Sequence, residues 1–293
     1  MTGALTTSNS TSAAIIIKDA STVSIGNITT GATGFVTLGG SATDNLTGAV
    51  TQTGVINAGT LLGNTAGDVT LSGANTITNL GAFTSTGTGG FSLGDLGGLT
   101  VTGNVSNISG PVSIVTSTSV LSIGADITAT GQLLTLTGVG ITQTTGTILA
   151  AGLTVNAGAG SISLNQANNH FTGAVSLNNS GANSVAITDT NAIDFGASNL
   201  GSGTLAVTAV GITQSGAITQ ASSAGASTFN AGAGVITLTN AGNDFTGSVS
   251  LNNSGANSVA ITDTNAIDFG ASALGSGTLT VTAVGITQSG VII

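Results

Sequence analysis

Few residues in this 293-residue chain can do chemistry. It holds one histidine (His170), one fixed cation (Lys18), ten aspartates, and no glutamate or cysteine. A metal site with two histidine ligands is excluded within one chain. In a second copy of its surroundings the place of His170 is taken by Asp244. A catalytic base would not need both, and with a single histidine a histidine-based triad is excluded within one chain, so His170 reads as a plain turn residue.

The aspartates carry more pattern. Asp189-Thr-Asn-Ala-Ile-Asp194 and Asp263-Thr-Asn-Ala-Ile-Asp268 put oxygen-bearing side chains at near-alternate positions, as a calcium loop does. The calcium candidates are therefore Asp189, Asn191, Asp194, Asp263, Asn265 and Asp268. Both stretches lack the glycine such a loop needs, and Ile193 and Ile267 must point inward. The favoured reading is an Asx turn joining two strands, with the second Asp facing solvent. The calcium-binding nonapeptide of repeat toxins is absent. No catalytic, cofactor-binding or resident-metal residue is assigned, and no cofactor is expected.

A sugar-active enzyme would need two opposed carboxyls, and lyase chemistry a strong base near cation-stabilised carboxylates. Ten Asp are available, but with Lys18 alone and no Trp or Tyr to stack a sugar ring, a polysaccharide-active enzyme stays a minor alternative. The pieces Gly87-Thr-Gly-Gly90 and Gly94-Asp-Leu-Gly-Gly98 lack the lysine and helix of a phosphate loop and read as turns.

The elements that position these residues follow from composition. Charged residues make up 4% and aromatic residues 3%, yet 40% are hydrophobic and 47 are Gly. Soluble globules carry about 25% charged residues; abundant Thr and Ser with spread β-branched residues suit pleated strands instead. A formal net charge of −9 excludes nucleic acid as partner, since phosphate contacts need clustered Lys and Arg. No apolar run approaches the roughly 20 residues of a membrane helix, so no membrane insertion is expected. Without cysteine there is no disulfide framework. Met1 is followed by a polar Ser/Thr-rich stretch unlike a signal peptide, and the chain stops partway into a repeat at Ile293, which favours a piece of a longer protein.

Short apolar alternations recur every 8–12 residues or so: Val23-Ser-Ile25, Val69-Thr-Leu71, Val112-Ser-Ile114, Val185-Ala-Ile187, Leu205-Ala-Val207, Val259-Ala-Ile261. Apolar residues at i and i+2 share one strand face, and no helical stripe competes with them. Gly, Asn, Asp and Ser between them supply turns, and Asn178, Asn179 and Asn183 are expected to ladder or bond turn backbone. Residues 176–198 recur letter for letter at 250–272, an offset of 74, and looser matches fill residues 156–293. Such a period signals stacked units. The expected fold is all-β: a right-handed parallel β-helix (β-solenoid) of about a dozen coils, three per repeat, with almost no helix. Residues 1–12 are expected to be flexible and 13–293 to form a single continuous β-helix. A twin-sheet sandwich is the alternative; it does not explain the 74-residue copy.

The stretches NAGAG and ITLTNAGNDFTGSVSL, within residues 230–251, and TLTVTAVGITQSG, residues 278–290, resemble the repeat region of filamentous-haemagglutinin-like exoproteins. These are large bacterial adhesins exported by two-partner secretion. The resemblance covers most of residues 36–293 and is strongest after Ala151; the family's amino-terminal secretion domain is not recognisable. It implies a right-handed β-helix shaft, secreted or surface-exposed. The expected function is thus a non-catalytic adhesin shaft whose partner is a receptor or glycan on a host or neighbouring cell. The alternative is a fibre subunit that self-associates end to end through its apolar Val291-Ile-Ile293 strand.

Overall fold

The computed structural model describes residues 4–40 and 43–293. Of the N-terminal stretch 1–12, residues 1–3 lie outside the described residues; Leu5–Thr6 is a short strand paired with Ile28–Thr29. No described residue is helical, and the registered strand pairings are parallel. The chain divides into two compact units, Met1–Ala150 and Ala151–Ile293. Each is a parallel β-solenoid, with about 13 turns in all.

In the first unit one ladder runs Val23, Val50, Val69, Phe91, Val112, Leu134, each residue lying on the next coil from its predecessor. All six are buried, because alternation sends every second side chain inward where it meets its own kind on the coils either side. Each such side chain contributes about 1.5–3 kcal/mol of burial. Phe83 packs on Phe91 with ring centroids 4.8 Å apart. Pro111 sits just before the strand Val112–Thr116, where its missing N–H is not needed, and its carbonyl accepts from the Phe91 N–H at 2.9 Å.

The second unit contains two long ladders. The first comprises Ile162–Leu164, Val185–Thr188, Leu205–Thr208, Ser227–Asn230, Val249–Asn252, Ala266–Phe269 and Gly285–Gln288. The second comprises Ile148–Asn156, Ala174–Asn178, Ile193–Phe195, Ile212–Gln214, Ile236–Leu238, Val259–Thr262 and Leu279–Thr282. The chain visits them alternately, so each coil contributes one strand to each ladder. Successive partners in the first ladder, from Ile162 through Val185, Leu205, Ser227, Val249 and Phe269, are about 21 residues apart.

A 74-residue repeat therefore spans about three and a half coils, not the three expected. Apolar alternations announce where strands are, but stacking partners are set by how many residues a coil consumes. Here that is fewer than a third of the repeat, because the third strand of a coil is short (Ser198–Leu200, Ile218–Gln220) or absent.

The coils touch closely. A Cβ added at Gly201 would collide with the Gly181 carbonyl oxygen on the coil before, and one at Gly275 with that of Gly255. Gly181 and Gly255 themselves turn with φ of 70° and 71°, a conformation that favours glycine.

Candidate functional site

Asp189 follows the strand Val185–Thr188 and turns its carboxylate into the solenoid; the residue is 2% exposed. Its Oδ1 accepts from the Asn191 N–H at 3.0 Å, closing the expected Asx turn. Its Oδ2 accepts from the Phe171 N–H, eighteen residues earlier on the preceding coil, at 3.2 Å. Burial pushes the Asp189 carboxyl above the usual range, while the two N–H groups and His170, whose Nδ1 lies 3.9 Å away, pull it back. Asn191 turns its amide to His170, Nδ2 to Nδ1 2.8 Å.

The second copy repeats the arrangement with one change. Asp263 accepts from the N–H groups of Asn265 (3.0 Å) and Phe245 (3.3 Å), and the Asn265 amide donates to Asp244 Oδ1 at 3.2 Å. Burial again raises the Asp263 carboxyl, and here the negative charge of Asp244 adds to the rise.

Asp194 and Asp268 are placed differently, on the outward side of strands whose flanking Ile193 and Ile267 are fully buried. Asp194 accepts from Thr213 Oγ1 (3.3 Å) and Ser215 Oγ (2.7 Å); Asp268 accepts from Thr287 Oγ1 (3.0 Å) and Ser289 Oγ (2.5 Å). The six calcium candidates are thus split between the interior and the outer face of the coil, and each carboxylate is engaged by N–H or O–H donors. Among the described residues no three His, Cys, Asp or Glu side chains are grouped to hold a metal ion.

Asp95 does the same work in the first unit, although in the sequence it reads only as part of a glycine-rich turn. Its Oδ1 accepts from the Gly97 N–H (2.8 Å) and its Oδ2 from the Ile77 N–H (2.7 Å), again eighteen residues back; burial raises this carboxyl too. The signal that could have found it is an Asp two residues before Gly or Asn, with a β-branched or aromatic residue eighteen positions earlier.

The outer surface is built from amides and hydroxyls. Asn178 donates to Asn156 Oδ1 at 3.1 Å and accepts from the Asn199 N–H at 3.2 Å, an amide ladder across three coils. Asn179 and Asn183 hold the adjoining turn, donating to the Asn183 and Ser180 carbonyls at 2.7 and 2.8 Å. A trough of about 350 Å³ lies against Asn156, Gly158, Asn178, Asn179, Ser180 and Asn199. A hollow of about 590 Å³ in the first unit is lined by residues such as Phe35, Leu62 and Ala82, none of its lining side chains being titratable.

Stacked parallel coils, carboxylates spent on tying coil to coil, and a repeated amide surface define a β-solenoid repeat protein. A family model described as repeats of unknown function (DUF5649) matches residues 112–178, 182–252 and 256–293, more than half of the chain, and the chain belongs to that family. No curated protein and no solved structure matches it.

Proposed function

We propose that the protein is a non-catalytic structural shaft of a secreted or surface-exposed bacterial adhesin, mediating attachment to, or aggregation with, other cells. The observation that carries this reading is the duplicated surface. Residues 176–198 and 250–272 are identical, and their turns expose the same Ser, Gly and Ala positions with the same internal hydrogen bonds. Catalysis needs one constellation, whereas repetition of an outer surface suits contact. The resemblance to filamentous-haemagglutinin-like exoproteins supports the same reading, and with it an extracellular or cell-surface location and a receptor or glycan as partner.

The test is to delete the gene and measure adhesion and cell aggregation. Loss of either, restored by the full gene, is the expected result; unchanged adhesion and aggregation overturn the proposal. Turnover on a panel of polysaccharides would favour a sugar-active enzyme instead.

A further inference from the structure

The strands of both ladders change ladder when the repeat recurs. Ile162–Leu164, Val185–Thr188 and Leu205–Thr208 belong to the first ladder of the second unit. Their counterparts 74 residues on, Ile236–Leu238, Val259–Thr262 and Leu279–Thr282, belong to the second. The exchange is reciprocal. Ala174–Asn178, Ile193–Phe195 and Ile212–Gln214 lie in the second ladder, and Val249–Asn252, Ala266–Phe269 and Gly285–Gln288 in the first. A repeat of three and a half coils is a half-turn screw. Both ladders bury alternate side chains in one interior, so a point half a coil further along the contour lies across the core.

We infer that residues 151–293 form a two-faced, bivalent module: the turn of residues 178–184, leading from the second ladder to the first, and its identical copy 252–258, leading from the first to the second, face opposite sides, so the module bridges two partners. This rests on the adhesive reading of that surface.

Magnitudes explain why the half turn matters. Three and a half coils advance roughly 17 Å at about 4.8 Å per strand. A protein partner with a standard footprint of about 800 Å² is roughly 28 Å across. Two such partners would collide if the copies shared a face; on opposite faces they do not. The partner this surface fits is a protein on a neighbouring cell whose contact face is not anionic. The module offers amides, hydroxyls and the partly exposed carboxylates of Asp194, Asp244 and Asp268, with no Lys or Arg, while Asp189 and Asp263 are buried.

The geometry can be read without knowing the partner. A Fab raised against residues 176–184 has an identical epitope at 250–258, so the full chain should bind two Fabs. Negative-stain images of that complex should show them projecting to opposite sides. Both Fabs on one side, or one Fab excluding the other, overturns the inference. Function is read with the deletion of residues 182–255, which rejoins the chain inside the identical stretch and leaves one copy. The variant should keep the β-sheet circular dichroism and single-cell attachment while losing aggregation at least tenfold; aggregation at the parent level overturns the bridging claim. If neither protein attaches while the Fabs stand opposed, the adhesive reading has failed and the two-faced geometry has not. Protease treatment of target cells should abolish bridging; persistence overturns a protein partner.

Discussion

Among single side chains the unusual groups are the buried carboxylates of Asp95, Asp189 and Asp263, all held above the usual range by desolvation. A folded-state pKa above the unfolded one means the folded protein binds more protons between the two values. Stability therefore falls as pH rises through that window. Chemical denaturation should show a midpoint that climbs as pH is lowered from 7 and levels off below the unfolded value of 3.8. Asp263→Asn should flatten the climb; a midpoint that drops on acidification contradicts the assignment. The Asx half of this device was legible in Asp-Thr-Asn, since it needs only neighbours in sequence. The N–H eighteen residues back was not, because it depends on coil length. Gln220 is a second such case: both amide atoms, like the Ser227 hydroxyl, are buried without a hydrogen-bond partner. Replacing Gln220 with Met, similar in shape and apolar, should raise stability by about 1–3 kcal/mol in urea titration. A loss of stability would mean the amide is satisfied in solution.

Among the elements the strands were the most legible part, because i, i+2 alternation of Val, Ile and Leu buries one face only in an extended chain. What alternation cannot state is which strand lies above which, and that is where three coils per repeat became three and a half. Ala206 illustrates the consequence: it sits between Ala186 and Thr228 in an interior strand. Ala206→Pro removes an N–H from a strand paired on both sides. It should cost at least about 1–3 kcal/mol for the group left unpaired. Ala206→Thr, the residue the repeat carries at Thr280, should stay within about 0.5 kcal/mol of the parent. Equal effects from the two substitutions would place Ala206 outside the ladder.

Over the full length of the chain, coils that contact chiefly their neighbours make stability a sum of local terms. Residues 151–293, a compact unit with its own buried aliphatic column, should fold when produced alone. The readout is a β-sheet circular dichroism spectrum with resistance to proteolysis; a disordered spectrum refutes it. The all-β class and the stacking of like units were visible in composition and in the 74-residue copy. The sidedness of that copy was not, because it is a remainder left when the repeat is divided by the coil.

The carboxylates of Asp95, Asp189 and Asp263 each reach an N–H on the coil already laid down, eighteen residues nearer the amino terminus. Until the later turn arrives, that donor has no carboxylate to accept from it. If the chain folds from its amino-terminal side, each such turn supplies on arrival the acceptor for an N–H on the turn before it, and so acts as a ratchet. A chain delivered amino terminus first through a narrow exit could in this way be drawn forward by its own folding.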